Sequence, residues 1–520
     1  MRPLRARLFA LALPLLSVVA CAPSEAAEDE ETSEGAFTVR SCIVEQPVAA
    51  DGYAEIREAD PSLVTRKRVN ERGELEEDPV KVVRPTAEDL RGAMTKISKH
   101  LDRISREVPD SARRREIYAA SQRGKKMEPY CLFHAPGKAI YGTVVLFHGY
   151  NDRPHQQAKL ASYLFHNGFN VYNVFLANMF MVEGTDYWPK TVFRQDVLAT
   201  LLGKLSAPEN QTVLQPILPR LQAGTLTSED QLALDRILGP ELSLEALAAA
   251  WREPGGEKWK RLYQTHMPTE TESLVDAAHR ADFMDYVRDA SARIAELSDL
   301  PGPIFVQGLS VGGTVALAAA AFDGGRRVKG VVSHAPWLQS VDPKNNTQLM
   351  VAGPLDSLVS AAGGQYPIRW ETHRIAFSPA SVSATLALGT WTKGAANVET
   401  LAAIPTAQVV TEDEDSADNG ASADLHASLV ARAPLAPLHV RLAYPRDLRV
   451  RHAITDPENY REGDPAGPSW NRYWRTLYQE SFRFYTTGTM SAENLLRREL
   501  DPALPKPACV MTEFPQRCGQ

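Results

Sequence analysis

The chain has 520 residues, of which 44% are hydrophobic and 23% are charged, with a formal net charge of −7. These values are those of an ordinary globular protein with one large domain or two modest ones. The acidic balance and the pI of about 6.0 argue against nucleic acid as a partner.

The first 21 residues resemble the export signal of a bacterial lipoprotein. Three arginines precede a short apolar run, Leu8–Val19, and a small residue stands before Cys21. This is the pattern of a signal peptide, and the run is too short to span a bilayer comfortably. The resemblance implies that Cys21 is lipidated and becomes the first residue of an exported, lipid-anchored envelope protein. Ala22 after it favours the outer membrane. A plain secretory signal with an incidental cysteine is the alternative.

Four cysteines remain after Cys21. An even number in an exported protein suggests disulfides, and four cysteines allow three pairings. Cys509 and Cys518 flank a proline-containing loop, so we expect that pair, with Cys42 and Cys131 as the other. No cysteine or histidine spacing suggests zinc, and we expect neither a metal nor an organic cofactor.

The chain before residue 127 is predicted to lie outside the main domain. Residues 22–35 are acidic and without periodicity, which predicts a tether. Residues 36–126 are interpreted as an N-terminal extension packed on that domain. One helix is predicted there, Ala87–Arg106, with apolar residues on one face. The polar run Arg66–Glu77 is expected to be a solvated loop.

From residue 127 to 520, short apolar strands alternate with amphipathic helices. The predicted strands are Tyr130–Phe133, Gly142–Phe147, Phe169–Leu176, Ile304–Gln307, Val328–Ser333, Pro405–Val410 and Leu438–Tyr444. The predicted helices are His155–Asn167, Leu274–Leu297, Thr314–Phe322 and Trp470–Tyr485. This alternation predicts an α/β protein with a mostly parallel sheet and helices on both faces. Insertions are expected at about 178–269, as a helical cap, and at about 339–398.

The sequence Gly308-Leu-Ser-Val-Gly312 lies between a predicted strand and a predicted helix. In that context, Gly-x-Ser-x-Gly is typical of a nucleophile elbow, in which Ser310 occupies a strained turn at the edge of the sheet. Gly308 and Gly312 lack a Cβ, so strand and helix can pass close together. The N–H of Val311 at the helix start would then face an anion that forms beside Ser310.

A serine nucleophile needs a base and an orienting acid, which in this arrangement follow in the order serine, acid, histidine. The acidic run Glu412–Asp415 follows a predicted strand, and Asp415 is the first choice for the acid, with Asp413 as the second. A calcium loop is the rival interpretation of this run. His452 is the expected base because it lies in a loop after the last strand.

His148-Gly149-Tyr150 ends another predicted strand. The N–H of Tyr150 would be the second oxyanion donor beside that of Val311, and Gly149 would let the backbone approach the substrate.

Taken together, these motifs resemble the α/β-hydrolase superfamily, and within it the serine aminopeptidase and monoacylglycerol-lipase-like branch. The resemblance covers less than half of the chain. It implies a serine hydrolase that cleaves carboxylic esters, including acyl lipids, through an acyl-enzyme, with Ser310, His452 and Asp415 as the triad. An aminopeptidase or amidase with the same triad is one alternative. A binding lipoprotein that kept the fold without turnover is another.

Overall fold

The computed structural model describes residues 42–44, 52–53, 55–69, 75–78, 82–108, 127–150, 152–181, 187–222, 227–343, 346, 349–350, 353, 356, 370–372, 375–433, 438–457, 471–497 and 499–511. The predicted signal and tether, Cys21 and Cys518 lie outside these residues. None of the helices within the described ranges combines the length and the apolarity that crossing a bilayer requires.

The chain divides into two compact units. The larger is formed by Ala27–Phe180, Tyr286–Val341 and Ala395–Gln520, and the smaller contains Met181–Asp285 and Asp342–Gly394. The domain bounds and insertions expected from the sequence remain predictions.

The described strands are short. They are β1 (Ile43–Val44), β2 (Arg66–Val69), β3 (Leu75–Asp78), β4 (Tyr130–Phe133), β5 (Gly142–Phe147), β6 (Phe169–Val174), β7 (Ile304–Leu309), β8 (Val328–His334), β9 (Trp370–Thr372), β10 (Ile375–Phe377), β11 (Thr406–Thr411) and β12 (His439–Tyr444). Eight of them form one sheet in the order β1-β4-β6-β5-β7-β8-β11-β12. Every neighbouring pair is parallel except β4 with β6. The expected mostly parallel sheet is therefore confirmed.

The helices begin and end as follows: α1 (Ala87–Glu107), α2 (Ala158–His166), α3 (Gln195–Ser206), α4 (Pro208–Gln222), α5 (Ser228–Leu238), α6 (Leu244–Arg252), α7 (Glu257–Leu262), α8 (Leu274–His279), α9 (Met284–Glu296), α10 (Val311–Asp323), α11 (Pro379–Thr392), α12 (Ala395–Leu401), α13 (Asn419–Arg432), α14 (Trp474–Thr487) and α15 (Ala492–Leu496).

The core of the larger unit lies on the central strands. All residues of β5, β6 and β7 are buried, as expected for parallel strands covered on both faces. The aromatic side of α14 packs on this sheet: the ring centroids of Phe305 in β7 and Tyr485 in α14 are 4.9 Å apart. The prediction that this aromatic helix serves packing is confirmed.

Two predicted elements were wrong. The described part of Arg66–Glu77 is not a loop, because β2 and β3 pair antiparallel, in a register that places Lys67 opposite Glu77. The predicted helix Leu274–Leu297 is broken into α8 and α9. The Asp282 carboxylate accepts the N–H of Met284 (2.7 Å) and so begins a new helix.

A disulfide joins Cys42 to Cys131, with their Cα atoms 4.6 Å apart. It connects the residue before β1 to β4, across a sequence separation of 89 residues. This pairing was expected from the sequence. The other expected pair, Cys509 with Cys518, stays a prediction because Cys518 lies outside the described residues.

Candidate active site

Ser310 stands at the junction of β7 and α10. Its backbone has φ 58° and ψ −123°, a conformation that residues other than glycine rarely adopt. A strained turn between a strand and a helix is what the Gly-x-Ser-x-Gly pattern predicts, so the structure has the geometry of a nucleophile elbow at this residue.

The two motif glycines allow the close approach around Ser310. A Cβ on Gly308 would lie 2.0 Å from the carbonyl oxygen of Gly312. A Cβ on Gly312 would lie 2.3 Å from the carbonyl oxygens of Phe147 and His148. Real side chains do not reach such distances, so these positions require glycine for lack of space.

Backbone hydrogen bonds hold the elbow in place. The N–H of Ser310 donates to the carbonyl of His334 at the end of β8 (2.9 Å). The carbonyl of Ser310 accepts from the N–H groups of Thr314 and Trp337, both at 3.1 Å. The strained conformation is therefore fixed from both sides of the residue.

The two expected oxyanion donors lie at the ends of adjacent parallel strands. Val311 is the first residue of α10, so its N–H has no partner within the helix. Tyr150, half-buried, follows β5, whose Phe147 is in register with Gly308 of β7. Both backbones thus belong to the same edge of the sheet as Ser310.

His148 braces the loop that carries Tyr150. It is fully buried, and burial lowers the pKa of its imidazole to about 3, so the ring is neutral. Its Nδ1 lies 2.7 Å from the carbonyl oxygen of Gly149, and its Nε2 accepts the N–H of Leu176 at 3.1 Å. Because Nε2 accepts, the proton of the neutral ring is on Nδ1 and is donated to Gly149.

Two glutamines that were not predicted from the sequence also hold this loop by hydrogen bonds. The N–H of Gly149 donates to Oε1 of Gln156 (2.6 Å), and Nε2 of Gln157 donates to the carbonyl of Phe147 (2.6 Å). The only sequence signal for them is their position in the turn directly after the loop. Glutamines there are too common to have been singled out.

The residue that meets the His452 imidazole is Glu414. Its Oε1 lies 2.8 Å from Nδ1 of His452, and the Glu414 side chain is 2% exposed against 19% for His452. Oε1 also accepts the N–H groups of Asp415 (3.1 Å), Ser416 (2.8 Å) and Ala417 (3.1 Å). These three N–H groups converge on one carboxylate oxygen and hold the Glu414 side chain in place.

The acids chosen from the sequence have other partners. The carboxylate of Asp415 accepts a hydrogen bond from the hydroxyl of Ser416 (2.8 Å). The carboxylate of Asp413 lies 3.4 Å from Nε of Arg451. The choice of Asp415, with Asp413 as the second, stays a prediction, and the structure adds Glu414, the residue between them, as the carboxylate in contact with the imidazole.

The segment after β8 contacts both the turn at Ser310 and the loop after β11 that carries Glu414. Trp337, which donates to Ser310, lies in the segment after β8, and Ser340 in the same segment forms an isolated antiparallel bridge with Ala417. The N–H of Val341 donates to the carbonyl of Ser416 (2.9 Å). Since β7, β8, β11 and β12 are consecutive and parallel, the segments that carry Ser310, Glu414 and His452 leave the same edge of the sheet.

A family model described as the alpha/beta hydrolase fold matches residues 142–388, a little under half of the chain. The match includes β5, the elbow and β8, and it agrees with the sheet described above. The chain therefore has the α/β-hydrolase fold, and the match supports a hydrolase. No curated protein matches the sequence.

Several solved structures are similar to this chain at low identity. A monoglyceride lipase from Saccharomyces cerevisiae is 13% identical over 68% of this chain and 88% of its own, with a TM-score of 0.35. A monoacylglycerol lipase from Paleococcus ferrophilus is 14% identical over 61% and 88%, with a TM-score of 0.32. A metagenome-derived lipolytic enzyme is 13% identical over 64% and 91%, with a TM-score of 0.33. Values this low carry no argument about the substrate.

Proposed function

We propose that this protein is a serine hydrolase that cleaves carboxylic esters, acyl lipids included, through an acyl-enzyme. Ser310 is the nucleophile, His452 the base and Glu414 the acid. The observation that carries the proposal is the pairing of a buried carboxylate with an imidazole in segments that leave the sheet edge of the strained serine. This is the combination of groups that activates a serine hydroxyl.

In the proposed reaction, Nε2 of His452 removes the proton of the Ser310 hydroxyl as Oγ attacks the ester carbonyl carbon. The N–H groups of Tyr150 and Val311 stabilise the oxyanion of the tetrahedral intermediate. The imidazolium returns its proton to the leaving alcohol as the C–O bond breaks. Water, deprotonated by the same imidazole, then releases the acid and restores the serine. Glu414 orients the ring through Nδ1 and stabilises its charged form.

A fluorophosphonate probe tests the nucleophile. We expect it to label the folded protein and to lose all labelling in Ser310→Ala. Absence of labelling in the folded wild-type protein would contradict the enzyme proposal and favour the binding lipoprotein instead.

The acid assignment has its own prediction. Glu414→Gln should lower kcat by about 10³-fold to 10⁴-fold, because the imidazole loses its orienting charge. Asp415→Asn, one residue away and bonded to Ser416, should change kcat by no more than a few-fold. Both are measured with p-nitrophenyl acetate. A large loss in Asp415→Asn with little in Glu414→Gln would reverse the assignment.

The same triad serves esters and amides, so the substrate class needs direct comparison. A panel of p-nitrophenyl esters of rising chain length, assayed beside aminoacyl anilides, separates the proposed esterase from an aminopeptidase or amidase. Higher kcat/KM on the esters is expected. Higher kcat/KM on the anilides would establish the alternative.

We also propose export and lipid anchoring through Cys21. The charged and apolar start of the chain supports this, and so does the Cys42–Cys131 disulfide, which suits an oxidising compartment. Labelling of cells with a clickable fatty acid should mark the wild-type protein and not Cys21→Ser. Equal labelling of both proteins would contradict the anchor.

A further inference from the structure

We propose that Asp413 and Arg451 are positioning residues for the base: their ion pair holds the loop that carries His452 against the loop that carries Glu414. The inference rests on the proposed function, since it explains how the two groups of the triad are kept in contact.

The two loops are joined by neighbouring pairs. Asp413 precedes Glu414 in one loop, and Arg451 precedes His452 in the other. Oδ2 of Asp413 lies 3.4 Å from Nε of Arg451, and the next pair along is the 2.8 Å contact between Glu414 and His452. The first pair is partly exposed and the second is more deeply buried, so the ion pair lies on the solvent side of the imidazole contact.

A third link lies on the other side of the ion pair. The hydroxyl of Thr411 donates to the carbonyl of Val450 and accepts the N–H of Asp413 at 3.2 Å. Thr411 ends β11, and Val450 precedes Arg451. Residues 411, 413 and 414 thus face residues 450, 451 and 452 in order, and each link is made by a side chain.

The chain before Arg451 explains why such a link is useful. The strands β11 and β12 are paired as far as Thr411 and Tyr444. Beyond Tyr444 the chain makes a short 3₁₀ turn at Arg446–Leu448, and Arg449 has a positive φ of 51°. The sheet register alone therefore does not fix the position of His452, which depends on contacts made after that turn.

An ion pair in this position should affect turnover more than stability. Partly exposed pairs contribute little to the free energy of unfolding because water screens them. A small displacement of a catalytic group, in contrast, lowers the rate strongly. Loss of the pair is therefore expected to leave a folded protein whose imidazole is held less well.

The test is a double-mutant cycle. Asp413→Asn and Arg451→Gln should each lower kcat/KM for p-nitrophenyl acetate roughly tenfold, with KM and the melting temperature little changed. The double variant should be no slower than either single one. Exchanging the charges, Asp413→Arg with Arg451→Asp, should recover part of the loss, a rescue that a merely structural role would not give. The conservative variants Asp413→Glu and Arg451→Lys, which keep both charges, should retain most of the activity.

The matched control is the ion pair of Glu399 and Arg432, 3.6 Å apart in the same unit. Glu399→Gln and Arg432→Gln should leave kcat/KM unchanged. The inference is overturned if the Asp413 and Arg451 variants behave like these controls. It is also overturned if their effects multiply in the double variant. Should the wild-type protein fail to react with the fluorophosphonate probe, the proposed function itself has failed. If it reacts while the cycle shows no coupling, only the positioning role is lost.

Discussion

The residue proposed to react is one of four non-glycine residues with a positive φ in the part of the chain that the structure describes. Ser310 has φ 58° and ψ −123°, where a Cβ is unfavourable. Its N–H donates to the carbonyl of His334 at the end of β8, and its carbonyl accepts from Thr314 in α10 and from Trp337 after β8. A serine remains in this conformation because the surroundings fix it, and the proposed chemistry requires the hydroxyl there.

Replacing Ser310 should therefore reverse the usual order of stability between glycine and alanine variants. Glycine at an ordinary helix position is less stable than alanine by about 0.5–1 kcal/mol. At position 310, the free energy of unfolding should instead be about 1 kcal/mol higher for Ser310→Gly than for Ser310→Ala, since glycine removes the strain. Urea denaturation of the two inactive proteins measures the difference.

Ser428, inside α13, provides the control. There Ser428→Ala should be the more stable of the two variants. If alanine were also the more stable at position 310, the backbone of the elbow would not be strained.

At the scale of elements, the turn at Ser310 depends on α10 passing unusually close to β7 and to the end of β5. Gly308 of β7 and Gly312 of α10 leave no room for a Cβ, and the nearest atoms belong to backbone that cannot move aside. The sequence pattern therefore specifies a distance between a strand and a helix, and not only the two elements themselves.

Gly308→Ala should lower the free energy of unfolding by about 3 kcal/mol and abolish turnover, because the helix must shift to admit the methyl group. Gly203→Ala is the matched control. Gly203 lies in α3 with nothing within 4 Å of an added Cβ, so that change should be neutral or stabilise the protein by up to about 1 kcal/mol. Similar stability losses for both variants would refute the packing argument.

Strands were predictable where burial leaves a continuous apolar run. Tyr130–Phe133 and Gly142–Phe147 have the predicted bounds, because strands covered on both faces admit few polar residues. The β2–β3 pair was missed for the converse reason. Its polar run has no apolar pattern, and its pairing follows from a register that only the fold defines.

The kinds of residue in the proposed site and their order along the chain could be predicted from the sequence, but not every single residue. Ser310 and His452 are each singled out by motif or placement. The acid was not, because several carboxylates follow β11 in succession. Which of them turns inward depends on how three N–H groups converge on Glu414, a feature of loop geometry that has no sequence signature.

At the scale of the whole molecule, the larger unit buries several imidazoles in neutral form. Burial lowers the pKa of His134 and His439 to about 4, and that of His148 and His334 to about 3. Unfolding returns each ring to a pKa near 6.5. Below that pH the unfolded chain binds protons that the folded protein does not. The stability contributed by each ring is therefore complete above pH 6.5 and is lost as the pH falls toward its folded pKa.

Glu296 opposes this trend. Burial raises its pKa to about 7, so its stabilising effect is complete below about pH 4.5 and is lost as the pH rises through 7. Burial also raises the pKa of the Asp289 and Glu480 carboxyl groups, but it lowers the pKa of the His100 and His426 imidazoles too, so the imidazoles outnumber the carboxyl groups by six to three. The free energy of unfolding should therefore fall as the pH is lowered from 7 to 5.

His439 allows one of these imidazoles to be tested alone, because it lies in β12 and not in the proposed site. Its Nε2 lies 3.1 Å from the carbonyl oxygen of Ala402. Between pH 7 and pH 5, the free energy of unfolding should fall by about 2 kcal/mol less in His439→Gln than in the wild type. The variant lacks the imidazole that binds a proton in the unfolded chain and not in the folded protein. His279→Gln, at an exposed position, should follow the wild-type curve. Urea titrations at both pH values give the comparison. Equal slopes for His439→Gln and the wild type would mean that this imidazole is protonated in the folded protein, and the account of the acid sensitivity would then be wrong.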